Sequence, residues 1–392
     1  MEAFDVVVIG AGLAGLQCTR MLAGHGLRVL LVDRKQSLRE AVHTTGIFVR
    51  RSLEDFELPA AFLGPPIRGV TLYSPSRRTL QFDSEHDEFR IGAMGPLYER
   101  LLKDCRAAGA EWLGGTTFVS CDATPTGSAV RLKTGGVEQV IETRYVFGAD
   151  GANSRVAREL GLSENTRSIV GIEEIYEAAE STGSPRLHCF LDRRIAPGYI
   201  AWIADDGQSV HVGVGGYPNK FQPSAALDRF RSTIGSVVGL RSARLVERRA
   251  GRIPVGGILP VLVNQRGLLV GDAAGAVSPL TAGGLDPCLR LSERAAKVAW
   301  RFLSSGDPVH LADYDGERFR QQHLARRLLR RAYDLAGYNT LLEIGCGLMR
   351  LPVGKQIARH IFFGRGRPDE LAWAPAPRGA GGKLKLARGT SR

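Results

Sequence analysis

The chain opens on an unbroken apolar run, FDVVVI at residues 4–9. A run this short and continuous predicts a strand buried on both faces, as in a parallel sheet between helices. Apolar residues then recur at helical spacing from about Leu13 to Ala23, and GHG at 24–26 ends the pattern. LRVLLVD follows as a second buried strand closing on Asp33. Further on, GVTLYSPSRRTLQF (69–82) reads as strand, turn, strand, with Pro and Ser in turn positions. Residues 95–113 place apolar side chains at 97, 101, 102 and 105, which predicts a helix stopped by Gly109 and then a strand. Beyond residue 165 the period shortens to two: RLHCFLD, then GYIAWIADDGQSVHVGVGGY, where DDG signals a hairpin. Residues 316–376 are helical and basic in pattern, with apolar positions at 324, 328, 329, 332 and 335.

Composition narrows this picture. The chain has 392 residues, enough for two or three packed units, and its 44% apolar and 23% charged residues are those of a globular protein. A net charge of +12 favours anionic partners. Nucleic acid is not expected, because the arginines are dispersed and aromatic residues are only 7%. The six cysteines show no CxxC spacing, so neither a disulfide framework nor a metal site is expected. MEAFDVVVIG enters a strand without a basic leader, and no apolar run approaches membrane-spanning length. The expectation is a cytoplasmic protein that can touch the inner face of a membrane. Oligomeric state is not readable.

The strongest chemical signal follows the first strand. GAGLAG places Gly10, Gly12 and Gly15 in GxGxxG spacing, with Leu13 and Ala14 opening the helix. The first glycine permits a tight turn, the second lets a pyrophosphate approach the backbone, and the third lets helix and strand pack closely. The helix N-terminus then offers free N–H groups to the phosphates. Asp33 is placed to accept from a ribose hydroxyl, with Arg34 beside it, and an acid there argues against NADP at this site. Two later segments separate FAD from NAD. VFGADGANSRVARELG (146–161) is a strand, a glycine turn at Asp150 and Gly151, and a helix. GLLVGDAAGAVSPLTAGGL (267–285) is a strand, Gly271 and Asp272, Pro279, then Gly283, Gly284 and Leu285 opening another helix. An Asp at such a strand end can bond a ribityl hydroxyl, and the amides at 283–285 can hold the electron-rich end of a reduced flavin.

In this order the three segments resemble the FAD-binding family related to p-hydroxybenzoate hydroxylase and glutathione reductase, over about residues 1–305. The resemblance implies an α/β fold: a Rossmann-like FAD-binding domain, an antiparallel β-sheet substrate domain and C-terminal helices. The implied boundaries are 1–160 and 256–315 for the FAD domain, with a small hairpin insert near 66–90. The substrate domain takes 161–255, the helical region 316–376, and a basic tail expected to be disordered 377–392. The order of LYSP hairpin, PLY helix, APGYIAW…VHVGVGG and GDAAGAVSPLTAGG is similar to the geranylgeranyl reductase branch, which reduces carbon–carbon double bonds in isoprenoid chains. Its aromatic motif survives as Tyr199, Trp202 and Gly213, but Ala204-Asp205 stands where the branch has Phe-Pro. Tyr199 and Trp202 are candidates to line a hydrophobic substrate tunnel; they are equally ordinary strand aromatics packing a core.

A cysteine common in that branch is absent from EAVHTTGIFVRR (40–51), where His43, Thr44 and Thr45 stand as catalytic candidates and Thr45 and Gly46 as cofactor contacts. His43 is a candidate proton donor; the alternative is a loop histidine bonded to backbone. Arg100, or Met94, stands where the branch has an arginine near the start of the 95–113 helix, and Arg100 is a candidate cofactor contact. The expected activity is flavin-mediated reduction of an isoprenoid or lipid-like substrate, with NAD(P)H as a transient electron donor. Two rivals share the scaffold: a flavin monooxygenase and an FAD-containing lipid carrier. The basic C-terminal region is the candidate membrane contact.

Overall fold

The computed structural model describes residues 3–181, 183–322, 324–335 and 337–364. Its first sheet has seven strands and begins as the apolar pattern predicts. Strand Ala3–Ile9 lies parallel between Val29–Val32 and Val137–Gly148, and every residue of the 29–32 strand is buried. Glu111–Leu113 extends one side in parallel, and Gly267–Leu269 pairs with the far end of 137–148. The antiparallel strands Gly127–Thr134 and Thr116–Thr124 complete it. Helices Leu13–Gly24 and Leu285–Ser305 pack on this sheet, joined in one core by Leu16, Cys18, Leu22, Leu291 and Ala295. All six cysteines are buried free thiols.

The second sheet runs, in spatial order, through Arg244–Pro254, Ser168–Glu177, Ser209–Gly216, Ala201–Asp205, Arg186–Phe190, Gly69–Tyr73 and Thr79–Asp83. The hairpin at 69–83 is therefore the edge of this sheet. Gly69–Tyr73 lies parallel to Arg186–Phe190, a pairing with more than a hundred residues between partners. The 66–90 segment is thus divided: its hairpin belongs to the second sheet, and a separate three-stranded set is formed by Ile47–Val49, Phe89–Gly92 and Leu63–Ile67. Local pattern reads a hairpin but cannot read the distant strand it joins.

One face of the second sheet is covered by helix Pro223–Arg231, which buries Leu227 and Phe230 against Ile172, Ile203 and Val212. The other face is paved by Gly171, Gly213, Gly215 and Gly251. Trp202 lies over Gly213, where a Cβ would sit 2.2 Å from its ring, and Tyr199 lies over Gly215 at 2.7 Å. The residues Ala204-Asp205 end this hairpin. Asp205 and Asp206 are buried, and their carboxylates accept from the amides of Gly207, Gln208 and Ser209 at 2.7–2.9 Å. They close the DDG turn.

The C-terminal helices are Gly316–Gln322, Leu324–Leu335, Asn339–Leu348 and Pro352–Phe363. The hairpin turn at 74–76 anchors them: the Glu343 carboxylate accepts from Ser74 Oγ at 3.0 Å and Ser76 Oγ at 2.8 Å. Helix 324–335 is oriented against its apolar pattern. Arg330 is buried at 2% exposure, while Leu328 and Leu329 are exposed and Leu335 is 83% exposed. The stripe that packs is Arg330, Tyr333 and Asp334. Arg330 donates to the Gly198 carbonyl and Tyr333 to the Tyr199 carbonyl, both at 2.6 Å. Polar partners on the sheet outweigh the apolar face. The 377–392 tail lies outside the described residues, and no helix among those described is long and apolar enough to cross a membrane.

Candidate active site

The glycine loop distinguishes its three glycines by what surrounds them. At Gly10, φ is +106° and a Cβ would meet the Ala149 carbonyl oxygen at 2.3 Å. At Gly15 a Cβ would stand 1.8 Å from the Gly10 oxygen. Both are needed by the protein itself. Gly12 has nothing within 4 Å of a Cβ and caps a helix whose first turn carries neither a side-chain cap nor an acid. That space, beside uncapped N–H groups, is the cradle a pyrophosphate requires. Leu13 and Ala14 are buried behind it. Asp33 fastens the loop: Oδ2 accepts from the Ala11 amide at 2.7 Å and Oδ1 from Lys35 N at 2.9 Å. Each oxygen keeps a lone pair for a ribose hydroxyl. Arg34 is exposed beside it.

The second segment is held locally. Asp150 accepts from Ser154 Oγ at 2.6 Å and from the amides of Arg155 and Val156 at 2.7 and 3.1 Å, fixing the start of helix Arg155–Glu159. Burial raises its carboxyl above the usual range, and those bonds only partly offset it. Gly151 turns at φ +84° with open space around it.

In the third segment Gly271, at φ +57°, fits against Ala14, so the first and last motifs touch. Burial pushes the Asp272 carboxyl up to about 6, and no protein donor reaches it among the described residues. A desolvated carboxylate without a donor fits a ligand hydroxyl. Gly284 adjoins it and begins helix Leu285–Ser305, which no side chain caps. The loop before that helix is closed by Ser278 N donating to the Gly283 carbonyl at 3.0 Å, with Ala282 in left-handed conformation at φ +53°. Tyr199 donates its hydroxyl to the Thr281 carbonyl at 2.6 Å, tying the second sheet to this loop. Trp202 stacks edge-on against Tyr199 with centroids 6.3 Å apart, and its indole N–H is buried without a partner.

Segment 43–46 meets the same sheet. His43 Nδ1 lies 2.8 Å from the Ala250 carbonyl and must donate to it, which leaves Nε2 for another partner. Thr44 Oγ1 accepts from the Gly46 amide at 3.2 Å, and the Thr44 carbonyl accepts from Arg249 at 2.8 Å. Thr45 donates to Glu173 Oε2 at 2.6 Å. Gly46, at φ +84°, is wedged against Met94, which is fully buried. Arg100 pairs with Asp104 one turn along its own helix at 3.0 Å and is half exposed.

Glu173, His211 and Arg249 escape a sequence reading. Glu173 and His211 are buried inside the sheet, with Oε1 and Nδ1 3.7 Å apart and neither atom hydrogen-bonded. Arg249 stands 3.8 Å from Glu173 Oε1. Burial would raise the Glu173 carboxyl, but His211, Thr45 and Arg249 together hold it below the usual carboxylate range. In VHVGVGG, alternation sets His211 on the face opposite Val210, Val212 and Val214, and only the partner strands show that this face is also buried.

Comparison with known proteins follows this geometry. The FAD-binding domain family matches residues 3–325. Geranylgeranyl diphosphate reductase of Rhodobacter capsulatus is 29% identical over 315 residues, covering 79% of this chain and 78% of that protein. Digeranylgeranylglycerophospholipid reductase 1 of Methanothermobacter thermautotrophicus is 30% identical over 328 residues, covering 79% and 81%. The solved structure of a geranylgeranyl bacteriochlorophyll reductase-like protein from Thermoplasma acidophilum has the same fold, with a TM-score of 0.81 at 20% identity over 94% of this chain and 98% of that one.

Proposed function

This chain belongs to the FAD-binding domain family and is a geranylgeranyl reductase-like, FAD-dependent oxidoreductase; from that premise we propose that it reduces carbon–carbon double bonds of an isoprenoid or isoprenoid-lipid substrate. The observation that carries the reading is the glycine-paved face of the second sheet. Gly171, Gly213 and Gly215 lie under Trp202 and Tyr199, and Tyr199 is bonded to the 278–284 loop. An apolar chain laid there is held beside the loop that closes the flavin site.

Bound FAD supplies the hydride-transfer chemistry. The protein's part is holding and orienting. Gly12 and the uncapped helix behind it take the pyrophosphate, Asp33 the ribose, Asp272 a ribityl hydroxyl, and the amides of Gly283, Gly284 and Leu285 the ring's electron-rich edge. His43 is the proposed proton donor to the substrate. Its Nδ1–H bond to Ala250 sets the ring orientation, and the imidazolium, protonated at both nitrogens, delivers its proton from Nε2 and is left as the neutral ring still bonded through Nδ1–H. Thr44 and Thr45 position the loop that carries it. NAD(P)H is the proposed electron donor, bound transiently. The exposed leucines of helix 324–335, set among arginines, support a peripheral contact with an anionic membrane.

The test is anaerobic mixing of the FAD-loaded protein with NADH or NADPH, then with geranylgeranyl lipids, following flavin absorbance. Re-oxidation only on adding the isoprenoid, with a saturated product, is expected. Incorporation of labelled O₂ into product would sink the reduction. Substitution His43→Ala should lower turnover and leave FAD bound.

A further inference from the structure

Five arginines converge on one cavity that the site above does not use. It encloses about 180 Å³ between residues 165–167, the 255–259 turn, Pro279 and helix 324–335. Arg167, Arg320, Arg327, Arg330 and Arg331 line it, and no carboxylate does. Among the described residues two acids answer these charges from nearby. Asp334 takes Arg167 at 2.8 Å and Arg330 at 3.3 Å, and Glu317 takes Arg320 at 3.6 Å. Arg327 and Arg331 form no ion pair among the described residues. Burial lowers the Arg327 guanidinium, the like charges of Arg320 and Arg331 lower it further, and Glu317 offsets this only in part. Five cations gathered into a hollow with two acids to answer them among the described residues are stabilised by a multiply charged anion.

The cavity also has an apolar side. Val255 lines it and packs with Ile169 and Tyr199, next to Trp202, Ile253 and Ala282. Pro279 lines it from the loop that precedes Gly283. One wall therefore continues into the aromatic residues of the proposed substrate face.

We infer that this cavity binds the phosphate-bearing end of an amphipathic substrate, with Arg327 and Arg331 as the principal contacts, while the apolar chain follows Val255, Tyr199 and Trp202. The inference rests on the isoprenoid reading and adds the chemistry of the substrate's head.

The experiment is calorimetric titration of the FAD-loaded full chain with inorganic pyrophosphate and, separately, with glycerol 1-phosphate. Binding that weakens with salt is expected, and the R327A/R331A variant should bind at least roughly tenfold more weakly while keeping its flavin spectrum. Arg331 is exposed, so Arg331→Ala alone serves if the double variant fails to fold. Preference for pyrophosphate assigns the head to a prenyl diphosphate; preference for glycerol phosphate assigns it to a phospholipid. Unchanged binding in the variants, or no binding at low ionic strength, would overturn the site. So would tighter binding of 2′,5′-adenosine diphosphate than of either probe, which marks a nicotinamide dinucleotide. Binding is read without turnover, so a chain that holds pyrophosphate here yet reduces no isoprenoid refutes the activity and leaves the site standing.

Discussion

Thr45 donates its hydroxyl to Glu173 Oε2 at 2.6 Å, across 128 residues of sequence. This bond fastens the segment carrying His43 to the buried sheet. It also gives a carboxylate enclosed by protein its one short donor. Substituting Thr45→Val leaves that carboxylate short of a partner, at a cost of about 1–3 kcal/mol. Thr45→Ser should recover most of it. Thermal unfolding of the two variants checks this. Turnover should fall in the valine variant with FAD retained, because the loop is freed and the cofactor site is not.

The glycine loop predicts opposite outcomes for neighbouring substitutions. Gly15→Ala forces a Cβ onto a backbone oxygen at 1.8 Å, so the strand–helix packing fails and little folded protein is expected. Gly12→Ala meets nothing in the protein. It should fold normally and bind FAD at least about tenfold more weakly, or roughly 1.4 kcal/mol. Equal FAD affinity in the Gly12→Ala variant, read by fluorescence titration, would remove the pyrophosphate from this cradle.

Asp272 links FAD affinity to pH. With its carboxyl raised to about 6 by burial, the apo-protein holds a proton there that the unfolded chain has already released. Its contribution is therefore fully present below the ordinary carboxylate range, is lost as pH rises through about 6, and stays lost above it. A ribityl hydroxyl donates to the ionised form and lowers the pKa again, so binding releases the proton. FAD affinity should fall several-fold as pH drops from 7 to 5. Asp272→Asn should bind more weakly at pH 7 with that pH dependence gone. Titrations of apo-protein at a series of pH values measure both.

Tyr199→Phe removes one hydrogen bond, to the Thr281 carbonyl. A stability loss of about 1 kcal/mol is expected. Looser closure of the 278–284 loop should appear as a shift in the bound flavin's absorbance and a lower kcat with FAD still bound. A spectrum identical to that of the unaltered protein would reduce Tyr199 to a packing role.

The strand, glycine turn and helix of the first segment were legible residue by residue. Continuous apolar strands, the glycine spacing and Asp33 are all local, and the backbone demands that select Gly10 and Gly15 act between neighbouring elements. Asp272 and the 283–285 turn could likewise be placed by their position at a strand end and a helix start. The substrate half could not be placed in this way. Glu173, His211 and Arg249 come from three strands whose register no local pattern specifies. The hairpin at 69–83 joins a strand more than a hundred residues away. Helix 324–335 shows the difference most sharply. Its leucines predict the inward face, yet Arg330, Tyr333 and Asp334 are the residues that pack, because the carbonyls of Gly198 and Tyr199 and the Tyr217 hydroxyl wait for them on the sheet.

The sequence alone determined the α/β class, the dinucleotide loop and the order of the three flavin segments, because each follows from periodicity and from backbone freedom within a few residues. Only the tertiary structure decided what lies opposite that loop. It assembled the buried carboxylate, the glycine-paved face and the arginine cavity from separate segments, because desolvation and charge pairing depend on neighbours in space.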